Sequence, residues 1–213
     1  MHSIYLIRHG QSTANVGGEV GPDKQIPLTH LGQQQALSIL TRLPIQPQAI
    51  FVSEMLRTQQ TAQAFCKHHQ MQPHILADLN ELCNLDFDRI KDIGVEERRE
   101  LAQWYWQQAD YTYQDGPTAD SFAMFDAKVA AFIRQIPQFS DNTVCFTHGI
   151  WIGLLAWKLM GFATDNPHSI RQFRQFQCAM VMDNTVIYQL RCDNENRIYQ
   201  MRLFAATEMV ADT

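Results

Sequence analysis

The sequence predicts an α/β protein, a three-layer α/β/α sandwich with a mostly parallel sheet and a late antiparallel strand. Three observations carry that expectation. Short apolar runs at Ser3–Ile7, Ala49–Val52 and Thr143–Thr147 have the length and composition of buried strands. Each run leads, through residues that break or cap structure, into a segment with helical spacing of its apolar residues. Near the C-terminus the pattern changes to short apolar runs separated only by turn residues, which suits strands that follow one another.

Taken in order, Ser3–Ile7 is a strand that Gly10 and Ser12 punctuate, and Gly17, Gly18, Gly21 and Pro22 mark a loop. Thr29 can cap a helix running through Leu31, Ala36, Leu37 and Leu40 to about Leu43, closed by Pro44 and Pro47. Ala49–Val52 is the second strand, and Ser53 is expected to cap a helix from Glu54 to about His69. Residues 73–94 show weak periodicity and read as loops around a short strand near Ile75–Leu76. A helix is expected from Val95 to Gln108, and Asp115-Gly116-Pro117 is a turn. Phe122, Phe125, Val129, Phe132, Ile133 and Ile136 repeat at helical spacing until Pro137 closes the run. Thr143–Thr147 is a strand, His148-Gly149 follows, and the apolar stretch Ile150–Phe162 reads as a buried helix. Ala179–Met182, Val186–Arg191 and Arg197–Phe204 read as strands, with turns at Asp183-Asn184 and Asp193–Asn196. No repeat or linker interrupts the chain, so residues 1–213 are expected to form one domain.

Bulk composition narrows the function. The chain has 213 residues, 46% hydrophobic and 18% charged, which is enough for a sizeable core. A net charge of −5 offers no basic face for DNA or RNA. The apolar stretch ending at Phe162 contains Lys158 and falls short of the roughly 20 residues that span a bilayer, so no membrane partner is expected. Cys66, Cys83, Cys145, Cys178 and Cys192 are odd in number and lack metal-ligand spacing, which suits reduced thiols in a cytoplasmic protein. Trp104, Tyr105, Trp106, Tyr111 and Tyr113 form an aromatic cluster with two readings: a wall over a substrate pocket, or ordinary packing. Packing is the favoured one.

The residues that can carry chemistry stand at the strand-to-helix junctions. Arg8-His9-Gly10 follows the first strand. Arg8 is a permanent planar cation suited to phosphate oxygens, a neutral His9 can attack phosphorus, and Gly10 allows close backbone approach. Arg57 lies in the first turn of the helix after the second strand, where a cation gains nothing from the helix dipole and so suits a bound anion. His148-Gly149 stands at a third junction. In a parallel sheet these junctions share one edge, so two arginines and two histidines converge on a pocket for a dianion. A proton donor for a leaving alkoxide is also needed, and Glu81, Asp78, Asp86 and Asp88 serve equally by pattern. The remaining histidines and the cysteines form no metal set, so no cofactor and no metal is expected.

At this point the sequence resembles the histidine phosphatase superfamily, in the branch that also holds cofactor-dependent phosphoglycerate mutases. Arg8-His9-Gly10-Gln11-Ser12-Thr13-Ala14-Asn15 is similar to its N-terminal signature, and Leu28–Ala36 to its second block. Ser53–Ala62 is similar to its arginine block, Asn80-Glu81-Leu82 stands where its acid usually lies, and Thr147-His148-Gly149 is similar to its second histidine block. The resemblance implies that His9 becomes phosphohistidine and that Arg8, Arg57 and His148 hold the phosphoryl group. It implies that Asn15 and Gly149 complete the substrate contacts, and that Glu81 is the acid and then the base. Thr58 stands where alanine is common, and residues 115–121 lack the family's glutamate. The expected activity is metal-independent hydrolysis of a small phosphomonoester. The alternatives are mutase-type transfer and an inactive phosphate-binding or scaffold module. The substrate and the oligomeric state stay open.

Overall fold

The computed structural model describes residues 2–18, 21–193, 195 and 198–205. Among them β1 (His2–Arg8), β2 (Ala49–Val52), β3 (His74–Ile75), β4 (Thr143–Thr147), β5 (Ile187–Asp193) and β6 (Ile198–Leu203) form one sheet in the order β3-β2-β4-β1-β5-β6. β1, β2, β3 and β4 run parallel, whereas β5 is antiparallel to β1 and to β6. The fold class is the one expected.

The period-2 alternation of the strands builds the two cores. Ile4 and Leu6 of β1 face α5 (Phe122–Gln135), α6 (Gly149–Leu159) and α7 (Pro167–Ala179), where Phe125, Phe132, Trp151, Leu155 and Phe173 are fully buried. Tyr5 and Ile7, one residue out of phase, face α1 (His30–Arg42) and α2 (Leu56–His69), which contribute Ile39, Ala62 and Phe65. β4 is buried along its whole length, as a central parallel strand covered on both faces must be.

Several elements form where their local chemistry places them. The Thr29 hydroxyl accepts from the Gly32 N–H and starts α1. α4 spans Val95–Gln108 as expected, and a short α3 (Phe87–Ile90) interrupts the loops before it. Ser53 does not cap α2: Met55 holds the N-cap position, and the Ser53 hydroxyl is drawn inward to His148. Residues 179–182 form no strand. Ala179 ends α7, a helix the sequence reading left unassigned although Asn166 and Ser169 form a reciprocal capping box and Pro167 sits at its first turn. The expected turn residues Asn194 and Asn196, and the expected strand start Arg197, lie outside the described residues. No described helix is long and apolar enough to cross a membrane.

Candidate active site

The parallel strands deliver their carboxyl ends to one edge, where side chains distant in sequence meet. Arg8 is the last residue of β1. The His9 N–H then bonds the Thr147 carbonyl at 3.0 Å, so β1 holds its register with β4 one residue past the strand and fixes the histidine at the sheet edge. Gly10 follows because the backbone there crosses the start of α1. A Cβ on Gly10 would lie 2.5 Å from the Gly32 carbonyl oxygen.

The His9 ring is oriented by its own neighbour. Nδ1 lies 2.7 Å from the Gly10 carbonyl oxygen, and a carbonyl can only accept. Nδ1 therefore carries the proton, and Nε2 keeps a free lone pair. Burial, reinforced by Arg57, pushes the imidazole down to about 3, so His9 is neutral near neutral pH. A buried, neutral, single-tautomer imidazole is the form that attacks phosphorus.

His148 lies against it, with ring centroids 5.1 Å apart at 60°. Its Nε2 is 2.9 Å from the Ser53 hydroxyl, which is 2.8 Å from the Thr58 hydroxyl and accepts from the Met55 N–H at 3.2 Å. The Thr58 hydroxyl is 2.8 Å from the Met55 carbonyl. Each hydroxyl has one proton. Thr58 donates to the carbonyl, Ser53 donates to Thr58, and His148 must then donate from Nε2 to Ser53. The lone pair is left on the buried Nδ1, which has no partner among the described residues. Burial, with Arg57, His9 and Arg8 adding to it, holds His148 well below its ordinary pKa. Ser53→Ala should strand that N–H and cost about 1–3 kcal/mol of stability, while Ser53→Thr restores most of it; urea unfolding reads both.

Arg57, 5% exposed, reaches back from the first turn of α2 to the same edge. Its guanidinium donates to the Asp23 carbonyl at 2.8 Å and to the Asp23 carboxylate at 3.3 and 3.4 Å. Sequence reasoning missed Asp23, and its only signal there was an acidic residue between the glycine loop and the Leu28-Thr29 block. Asp23 holds the place at Arg57 that an anionic group would take. Asp23→Asn should therefore tighten competitive inhibition by inorganic phosphate about tenfold, a fraction of the roughly 4 kcal/mol two charges feel about 4 Å apart at an effective dielectric near 20. Unchanged or weaker inhibition would mean that Asp23 positions Arg57 rather than competing for it. Arg8 donates from Nη1 to the Met182 carbonyl, and its buried Nε has no partner among the described residues.

Glu81 separates from the other acids on geometry. Its carboxylate accepts from the N–H groups of Ile150 and Trp151 at 2.9 and 3.0 Å, capping the first turn of α6. Burial pushes its pKa up to about 6, against the N–H bonds from Ile150 and Leu82 and the charge of Arg57. Asp78 instead accepts from Gln135, Asp86 ties down Thr118 and the start of α3, and Asp88 pairs with Lys91.

Arg8, His9, Asn15, Arg57, Glu81 and Gly149 line one cavity of about 290 Å³, together with Asp23. His148 sits against His9, outside that lining. The Asn15 side-chain amide oxygen accepts from the Ser12 N–H at 3.0 Å, which steadies the loop after His9. A Cβ on Gly149 would press on Met182 at 2.9 Å and crowd Arg8, so glycine keeps the guanidinium's place open. No described group of three or more His, Cys, Asp and Glu residues stands so as to hold a metal ion. The aromatic cluster is packing: Trp106 lies against Phe122 and Phe173 under Arg174, and none of Trp104, Tyr105, Trp106, Tyr111 or Tyr113 lines this cavity.

Two cations, a neutral nucleophilic imidazole, a second imidazole and a carboxyl group titrating near neutrality can neutralise and transfer a phosphoryl group. Comparison with known proteins agrees. The chain is 31% identical over 164 residues to an adenosylcobalamin/α-ribazole phosphatase of Salmonella typhi, covering 74% of this chain and 79% of that one. It is 28% identical over 194 residues to a probable phosphoglycerate mutase GpmB of Yersinia enterocolitica, covering 84% and 83%. Its fold is similar to the crystal structure of the α-ribazole phosphatase from Shigella flexneri, with a TM-score of 0.73, 23% identity and 95% and 96% of the two chains covered. The family profile matches residues 4–201, and the chain belongs to the histidine phosphatase superfamily, branch 1.

Proposed function

We propose that this protein is a phosphomonoester phosphatase that works through a phosphohistidine on His9, without a metal ion, and that the whole chain acts as one catalytic domain. The observation that carries this reading is the 2.7 Å bond from His9 Nδ1 to the Gly10 carbonyl, which leaves Nε2 unprotonated in a cavity shared with Arg8, Arg57 and Glu81. Nε2 attacks phosphorus, the ester P–O bond breaks, and the leaving oxygen takes the proton of the Glu81 carboxyl. The Glu81 carboxylate then takes a proton from water as that water's oxygen attacks phosphorus. The P–N bond breaks, its electron pair returns to Nε2, and phosphate leaves. Arg8 and Arg57 neutralise the transferring oxygens, His148 joins them by taking up a proton at its free Nδ1 when the dianion binds, and Asn15 and Gly149 complete the pocket wall.

The substrate is a small phosphorylated molecule, and the relatives' names put α-ribazole 5′-phosphate on the panel beside sugar phosphates, glycerates and nucleotides. Release of inorganic phosphate from members of that panel tests the reading, and a panel without turnover would leave the binding-module alternative. Turnover should survive EDTA undiminished; loss on chelation, restored by a divalent ion, would refute metal independence. Vanadate should inhibit. The relatives named as probable phosphoglycerate mutases favour a second reading, phosphoryl transfer to a second hydroxyl. With 3-phosphoglycerate and a trace of 2,3-bisphosphoglycerate, rapid formation of 2-phosphoglycerate would select it. All five cysteines are free thiols, which suits a reducing, cytoplasmic setting.

A further inference from the structure

Beside the phosphoryl pocket lies a second, larger cavity of about 440 Å³, and Ala14, Asn15 and Asp23 belong to the walls of both. Leu82, the residue after Glu81, lines the larger one. The proton donor therefore stands one residue from its wall. The volume lies within the range of sites for drug-sized ligands and far exceeds what one small polyol fills.

Its walls are chemically divided. Ile26 and Leu85 from the loops, Phe87 from the start of α3, and Val95 and Ala102 from one face of α4 make an apolar surface. Arg98, on that same helix face, is the exception. Its neighbour Arg99 pairs with Glu96, and Lys91 pairs with Asp88. Arg98 is half-buried as a residue, its guanidinium has no hydrogen bond or ion pair among the described residues, and it also lines an adjoining depression formed with Lys91. An unpartnered cation held partly out of water beside an apolar wall is a ready partner for an anion.

We propose that this cavity takes the substrate's leaving group, and that the leaving group is a bulky, largely apolar alcohol bearing a second anionic group that meets Arg98. The inference rests on the phosphatase reading above and narrows it. A compact, fully polar leaving group such as glycerate would leave the Ile26, Leu85, Phe87 and Val95 surface wet and gain nothing from it.

Phenyl phosphate, 2-naphthyl phosphate and 6-sulfonato-2-naphthyl phosphate test it, because their leaving groups differ mainly in size and distal charge. In the wild type kcat/KM should rise about tenfold from phenyl to naphthyl, the scale that a few extra buried carbons give, and by a similar factor again for the sulfonate at low salt. Ala102→Trp should bring the naphthyl-to-phenyl ratio to about one, and Arg98→Gln should bring the sulfonate-to-naphthyl ratio to about one. Equal values for the three esters in the wild type, or ratios that persist in these variants, would overturn the proposal. If the wild type hydrolyses none of them yet releases phosphate from other esters of the panel, the proposal fails; if it hydrolyses no ester at all, the phosphatase reading fails instead. Calorimetric binding of 2-naphthylmethylphosphonate against methylphosphonate then decides the cavity on its own, with equal affinities counting against it.

Discussion

His9→Ala should lower kcat for every phosphomonoester by at least about 10⁴-fold, because the proposed mechanism makes its Nε2 the atom that bonds to phosphorus. Loss of a covalent nucleophile elsewhere reaches about 10⁶-fold, and what survives comes from binding and electrostatics alone. In this protein the substitution deletes a ring whose orientation rests on one bond to its neighbour's carbonyl, so nothing else in the cavity is positioned to replace it. His148 cannot: its Nε2 donates to Ser53, and it is not among the residues that line the cavity. The check is direct. Wild-type enzyme quenched during turnover of a labelled ester should carry an acid-labile, base-stable phosphoryl group, and His9→Ala should carry none while keeping its thermal transition. Retained turnover in that variant would refute the phosphohistidine mechanism.

The second large effect depends on the leaving group. Glu81→Gln should slow hydrolysis of alkyl phosphates by about 10²–10⁴-fold, the usual contribution of a positioned proton donor, and should slow p-nitrophenyl phosphate far less. A nitrophenolate leaves without help, whereas an alkoxide does not. The pH dependence has a definite sign. Burial holds the Glu81 carboxyl near 6, so its acid form predominates below about pH 6 and disappears above it. The rate of enzyme phosphorylation by an alkyl ester should therefore fall as pH rises through about 6, and that limb should vanish in Glu81→Gln. An equal loss for both leaving-group classes, or a limb that persists in the variant, would place the acid elsewhere. The amide of glutamine can keep only one of the two carboxylate oxygens as an acceptor with both lone pairs free, so α6 should lose a little capping stability as well.

The parts of this molecule that were legible in the sequence are those written in local periodicity. The apolar runs of β1, β2 and β4 and the helical spacing of Phe122, Phe125, Val129 and Phe132 announce themselves, since burial on a strand or helix face repeats at fixed intervals. The junction residues Arg8, His9, Arg57 and His148 could be named because the strands end where those residues begin. α7 was missed because its buried residues, Ile170, Phe173 and Gln177, are diluted by arginine and glutamine, although its capping box was present. The strand expected at residues 179–182 failed for a related reason. Met180, Val181 and Met182 are apolar but have no partner strand among the described residues, and the Met182 carbonyl instead holds Arg8.

By itself, then, the sequence determined the fold class, most of the elements up to α6 and the residue types standing at the ends of the parallel strands. Only the tertiary structure decided which of them meet and in what state. The order β2-β4-β1 brings Arg57, His148 and His9 to adjacent strand ends, and the start of α6 captures Glu81 rather than Asp78, Asp86 or Asp88. The Ser53–Thr58 hydroxyl pair sets the His148 tautomer, Asp23 occupies Arg57, and the first turns of α4, not its aromatic second half, wall the larger cavity. The physical reason is the range of the forces. Periodicity reports what each segment buries against its own face, whereas hydrogen-bond partners, pKa values and cavity walls depend on groups that loops without any period bring together across the chain.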